Sequence, residues 1–240
     1  MKPLFTALML PLAALAVVDV AFMVAEWIPV WTEAVEYVRN DQRFDEVYLI
    51  NCQNLTPSLE LMQRFDVIFV GGGEYKDQED FGDNLADYVD GGGFVVSIFF
   101  AFFYYPEEGF GIGGRWLEDC YTPYKTVIGD WFYYFVRDYR DLNILEPEHP
   151  IFQGVSHLKD VRDHFLLELQ PGAREIADFT YYPGIAINAD NTVVGLDYDC
   201  SDYSEWTGDG FLIMANAACW LAAQTDVRET SWGVLKAEFE

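Results

Sequence analysis

Asp66-Val67-Ile68-Phe69-Val70-Gly71-Gly72-Gly73, an amphipathic run from Asp80 to Val89, and Gly91-Gly92-Gly93-Phe94-Val95-Val96-Ser97-Ile98-Phe99 together decide the fold of this chain. Both apolar runs are short and uninterrupted by charge, the pattern of strands covered on two faces. Between them Phe81, Leu85 and Tyr88 or Val89 recur at helical spacing, and Gly91 to Gly93 stop the helix. Toward the N-terminus, Val17 to Val24 makes a first strand. Trp31 to Arg39 makes a helix with Trp31, Val35 and Val38 on one face, and Val47 to Ile50 a second strand. Thr56-Pro57 opens a short helix with proline in its first turn. The resulting β-α-β-α-β-α-β order implies a parallel sheet with right-handed crossovers.

Toward the C-terminus the pattern changes. Gly109-Phe110-Gly111-Ile112-Gly113-Gly114-Arg115-Trp116 is a glycine-rich loop. Short strands follow at Arg174 to Phe179, Gly184 to Asn188 and Thr192 to Tyr198, the last two joined by Ala189-Asp190-Asn191. A final apolar helix runs from Gly210 to Leu221. No repeat, low-complexity tract or linker divides the chain, so one domain over residues 17–223 is expected, with 224–240 as a tail.

Half of the 240 residues are apolar, enough for a sizeable core. Forty acidic residues against fourteen basic ones give a formal charge of −26. Such a field repels phosphate backbones and anionic lipid, which excludes nucleic acid and anionic membrane surfaces as partners. Residues 1–16, with Lys2 ahead of an apolar run and Ala14-Leu15-Ala16 at its end, have the shape of a secretory signal. A secreted or periplasmic location follows. The competing reading is a membrane anchor, since apolar residues resume through Val24, but Asp19 interrupts them.

The fourth strand runs into Phe99-Phe100-Ala101-Phe102-Phe103-Tyr104-Tyr105. In α/β folds chemistry gathers beyond the carboxyl ends of the strands. A nucleophile elbow there needs small neighbours around a Ser or Cys, and these rings are expected to block the bend. Ser97 is the nearest hydroxyl, flanked by Ile98 and Phe99, and is expected to be a buried strand residue. This cluster and Trp131-Phe132-Tyr133-Tyr134-Phe135 form either a contact surface or doubly buried strands.

Phe65-Asp66-Val67-Ile68-Phe69-Val70 and Phe81 through Val96 resemble the class I glutamine amidotransferase-like superfamily, with its "yDvvv" strand, helix and "vdaGGgvV" strand. His149-Pro150-Ile151-Phe152-Gln153-Gly154-Val155 resembles the "HPI…G" element of trehalose-utilisation-protein-like members. Asn216-Ala217-Ala218-Cys219-Trp220 is similar to their terminal "naxxW" helix. The resemblance implies a flavodoxin-like three-layer α/β sandwich with a mostly parallel central sheet. Catalytic members carry a Cys at the elbow after the fourth strand and a late His with an acidic partner. Here Ser97 to Phe103 occupies the first position, and no His follows His164. The resemblance therefore points to non-catalytic members, which serve as binding or assembly modules, and implies a protein partner or self-association.

The alternative is a carbohydrate-active or hydrolytic enzyme centred on the Tyr104 to Trp116 loop. The candidate contact residues are Phe102, Tyr104, Tyr105, Glu107, Arg115 and Trp116, with Glu108 beside them. Arg115 suits an anion and Trp116 a stacked sugar, although an ion pair and a buried anchor are equally consistent. Gly109 to Gly114 matches GxGxxG, but Pro106-Glu107-Glu108 separates it from the strand and opposes a pyrophosphate, so no nucleotide cofactor is expected. The acidic loop Asp197-Tyr198-Asp199-Cys200-Ser201-Asp202 offers oxygens at alternate positions; Asp197, Asp199 and Asp202 suit calcium, against a solvated loop capping the last helix. The four cysteines lack CxxC spacing, which opposes zinc, and Cys120 with Cys200 is the first disulfide to test. His149, His157 and His164 share no metal-ligand spacing.

Overall fold

The computed structural model describes residues 17–126, 136–137, 140–160, 163–164, 167–180, 182–201 and 206–225. The leader, most of the tail, and the Trp131 to Phe135 cluster lie outside the described residues. The first half alternates strictly: β1 (Val18–Ala25), α1 (Thr32–Arg39), β2 (Phe44–Asn51), α2 (Leu59–Met62), β3 (Val67–Gly72), α3 (Gln78–Asp90) and β4 (Phe94–Ile98). A short helix α4 (Arg115–Glu118) follows the glycine loop. The second half contributes β5 (Asn143–Ile144), β6 (Arg174–Asp178), β7 (Pro183–Ile187), β8 (Val193–Leu196) and α5 (Gly210–Ala222).

These strands form one eight-stranded sheet in the order β5-β6-β7-β8-β4-β3-β1-β2. Pairings from β2 through β1, β3 and β4 to β8 are parallel, and β8-β7-β6-β5 are antiparallel. The central strands β3, β4 and β8 are buried along their whole length because both faces are covered. Val20, Phe22 and Val24 of β1 join Val35 and Val38 of α1 and Ile213 and Ala217 of α5. Ala21 and Met23 join Met62 of α2 and Phe81, Leu85 and Tyr88 of α3 on the other face. The three-layer sandwich expected from the sequence is present.

Local chemistry sets the boundaries. Ser58, not Pro57, opens α2: its hydroxyl accepts the Leu61 N–H at 3.3 Å, which moves the helix start past the proline. Asp77 caps α3 by accepting from Asp80 N–H. Asp66 ties two strands together across 47 residues by accepting from Asp19 N–H at 2.8 Å. The two late resembling motifs meet. Asn216 donates to the carbonyls of Ile151 and Gln153 at 3.1 and 2.9 Å, and the His149 ring stands edge-on to Trp220 at 4.8 Å. Of the apolar stretch weighed as an anchor, Val18 to Val24 belong to the buried strand β1, and residues 1–16 lie outside the described residues. Among the described residues no helix is long and apolar enough to cross a membrane.

Candidate functional site

The carboxyl ends of four adjacent strands rise to one crest. Chain leaving β1 supplies Glu26 and Trp27, chain after β2 supplies Gln53, chain after β3 supplies Gly73 and Glu74, and the bend after β4 supplies Phe100. With Ala25 and Phe110 they enclose a cleft of about 390 Å³. This is where the topology of an open parallel sheet directs a ligand.

The backbone there is tightly specified. Gly72 adopts φ 77°, and a Cβ at that position would stand 2.7 Å from the Ala25 carbonyl oxygen. That carbonyl accepts N–H groups from Gly73 at 3.1 Å and Glu74 at 2.9 Å, which draws the two loops together. Gly73 leaves room for Phe110, whose ring would lie 2.1 Å from an added Cβ. Gln53 donates its side-chain amide to Glu74 at 2.6 Å, orienting that carboxylate. Ser201 Oγ stands 3.5 Å from Glu26 and donates to Asp199 at 2.5 Å. Trp27 is 69 % exposed at the rim.

At the floor the chain does bend sharply, which corrects the expectation that aromatic rings forbid it. Ile98 is extended at φ −117°, Phe99 takes φ 27°, and Phe99–Phe102 continue as a 3-10 turn. The residue at the bend is a phenylalanine whose ring is 2 % exposed and lies edge-on to Phe100 at 4.6 Å. Phe100 in turn stands edge-on to Phe110 at 5.5 Å, so rings form one wall of the cleft. Ser97 is fully buried within β4, and its hydroxyl meets no hydrogen-bond partner among the described residues.

The candidate contact residues divide differently from the sequence expectation. Phe102 is buried against Tyr124 at 5.1 Å, and Phe99 and Phe103 are buried with it, so this cluster is core and not a surface. Tyr104 is half-buried and donates to Glu79 at 2.7 Å, a bond that pushes its hydroxyl up to about 12. Tyr105 is half-buried, and Glu107 is exposed on the 3-10 turn Pro106–Glu108; neither lines the cleft.

Arg115 is held by Asp87, by Asp90 at 2.7 Å, by Asp119 at 3.3 Å, and by the Tyr121 hydroxyl at 3.0 Å. Its guanidinium is saturated by carboxylates and is not offered to an anion. Trp116 is fully buried and stacks on Tyr121 at 5.9 Å, so it cannot meet a sugar. Both anchor α4 on α3, with Asp83 accepting the Arg115 N–H at 2.8 Å.

Asp197 and Asp199 are buried, which corrects the solvated loop; Asp202 lies outside the described residues. Burial, then Asp160 and Glu175, push the Asp197 carboxyl well above the usual range. Among the described residues no three His, Cys, Asp or Glu gather as metal ligands. The expected bridge is not formed: Cys120 and Cys200 are free, and Cys200 is buried in the core.

His149 accepts the Ile151 N–H, a structural role. Asp209 accepts from the Ser156 hydroxyl and from the Ser156 and His157 N–H groups, and the Ser156 hydroxyl lies 3.2 Å from the His157 ring nitrogen Nδ1, so the three residues form one local hydrogen-bonded group away from the cleft. The His164 side chain lies outside the described residues. The cleft residues Glu26, Trp27, Gln53, Glu74 and Phe110 escaped the sequence reading. For the first four the one signal was position, just after strand ends; Phe110 lies in the glycine-rich loop.

No family model matches this chain, and no curated protein matches it. Solved structures do. A ThuA-like protein from Bacteroides uniformis superposes with TM-score 0.63 at 11% identity, over 85% of this chain and 91% of that one. A cytoplasmic protein of Salmonella typhimurium gives 0.61 at 17%, over 85% and 97%. A glutamine amidotransferase from Thermotoga maritima gives 0.51 at 12%, over 89% and 85%. At these identities the likeness is one of fold: the chain has a class I glutamine amidotransferase-like fold.

Proposed function

We propose that this chain is an exported, non-catalytic binding module that takes up a small molecule in the cleft at the strand crest. The observation that carries the reading is Phe99. It holds the bend after β4, where catalytic proteins of the resembling superfamily carry a Cys, and it fills that point with a buried ring. Among the described residues the lining contains no Ser, Cys or His. Burial of Phe99, Phe102 and Phe103 favours ligand binding over assembly through an aromatic surface. Export is supported by the leader-like residues 1–16 and by a first strand that begins directly afterwards, at Val18. The calcium reading has less behind it, because Asp197 and Asp199 face the interior.

A second reading keeps hydrolysis, since Glu26 and Glu74 are two carboxylates on one cleft. Incubation of the purified protein with γ-glutamyl amides, esters and glycosides separates the two. The binding reading expects no turnover, together with ligand-induced thermal stabilisation that Trp27→Ala and Glu26→Gln remove. Turnover that Glu26→Gln or Glu74→Gln abolishes would establish the enzyme instead.

A further inference from the structure

The chemistry of the cleft wall selects among ligands. Among the described residues its charged side chains are Glu26 and Glu74, and neither lysine nor arginine lines it. Gln53 directs one amide N–H to Glu74, so the inward-facing polar groups are predominantly acceptors. The remaining side chains are largely aromatic: Phe100 and Phe110 form an edge-to-face wall, and Trp27 stands exposed at the rim. Phosphates and carboxylates are repelled by such a site, and a neutral polyol can donate to its carboxylates but leaves their charge uncompensated. A positively charged nitrogen meets carboxylates for its charge and ring faces for its alkyl shell, the combination that recognises ammonium groups. The volume of about 390 Å³ lies in the range of small-molecule sites.

We infer that the cleft binds a small organic cation, an alkylammonium or quaternary ammonium compound, between Glu26, Glu74, Trp27 and the Phe100–Phe110 wall. The inference rests on the binding reading above and names its ligand class. The cation seats its nitrogen near the two carboxylates and its carbon skeleton against the rings. The overall charge of −26 draws such ligands toward the molecule, but only the cleft holds one in place.

Isothermal titration of the full chain in about 0.15 M salt, where a Debye length of about 8 Å screens diffuse attraction, tests this with choline, butylamine, glucose and citrate as probes. Choline or butylamine is expected to bind at one site. Glu26→Gln and Glu74→Gln are each expected to weaken it about tenfold or more, as loss of a charge-assisted contact does, and Trp27→Ala to weaken choline selectively. Circular dichroism and melting of each variant exclude unfolding as the cause. Amine binding that survives the Glu26→Gln/Glu74→Gln double variant overturns the site. Glucose or citrate binding lost in that variant, with amines inert, overturns the ligand class and leaves the binding reading standing. Silence from all four probes overturns the ligand class, and turnover in the hydrolytic assays beside it overturns the binding reading too.

Discussion

A phenylalanine held at φ 27° carries two opposing energies. The backbone conformation is one that side chains with a Cβ avoid, at a cost of about 1–3 kcal/mol. The ring is 2 % exposed among other aromatics, and truncating such a side chain costs about 3–5 kcal/mol. Burial wins, which is why the bend persists without a small residue. Phe99→Ala should lose the ring and keep the strain, lowering stability by about 3–5 kcal/mol. Phe99→Gly should recover about 1 kcal/mol of that, after the glycine's added unfolded-state entropy of about 0.4–1 kcal/mol is subtracted. Urea unfolding of the two variants measures the difference; equal stabilities would mean that the bend stores no strain. The sequence showed an aromatic residue at this point but not its φ. That angle is imposed by packing against distant segments.

At the scale of elements, legibility followed burial. β1, β3 and β4 were plain in the sequence because both their faces are covered and nearly every residue is apolar, Asp19 and Ser97 being the exceptions. β2 was read only from Val47 to Ile50, since Asp45 and Glu46 are exposed on this sheet-edge strand, which runs from Phe44. Arg115 and Trp116 stayed open between a ligand contact and a structural anchor in the sequence, because the deciding partners Asp83, Asp87 and Asp90 lie on α3, some thirty positions away. The cleft was invisible for the same reason, being assembled from four separate strand ends. The terminal helix shows what a motif can carry. Asn216 satisfies two carbonyls of the turn containing Pro150–Phe152 and accepts from Arg43 at 2.6 Å, so α5 is stitched to two other segments. Asn216→Ala strands those groups and should cost about 1–3 kcal/mol, read as a shift in the denaturation midpoint at unchanged slope. Gly82 is a second junction: an added Cβ would stand 2.0 Å from the Gly113 carbonyl oxygen, wedging α3 from the glycine loop. Gly82→Ala should cost about 1–3 kcal/mol and, through displacement of Phe110, weaken ligand binding. A variant with native stability and affinity would show that the loop yields freely.

Across the whole molecule the acid excess reaches the interior. Asp160 and Asp197 are fully buried, Glu175 is half-buried, and Tyr124 packs beside them. Burial first, then Asp160 and Glu175, raise the Asp197 carboxyl well above its ordinary value; burial, then Asp178, raise Glu175. A raised folded-state value means the folded chain keeps a proton that the unfolded chain releases. The stability so conferred is complete below the unfolded value of about 3.9 and is lost as pH climbs through the folded one. Asp90, lowered by the Tyr121 hydroxyl and then by Arg115, and Asp209, lowered by Ser156, act in the opposite sense. Their contribution is present above the ordinary carboxylate range and disappears as pH falls through their folded values. The two sets together place the stability optimum in mildly acidic solution, with decline toward neutrality reinforced by self-repulsion of a −26 charge. Salt screens the diffuse repulsion but not the buried group, so the two causes separate experimentally. Melting temperatures at constant ionic strength should fall from about pH 5 to pH 7, and Asp197→Asn should flatten that fall by removing the buried titration. Its advantage over the native chain should widen steadily with pH. Parallel curves for the two proteins would place the pH dependence on the surface and leave Asp197 without a part in it.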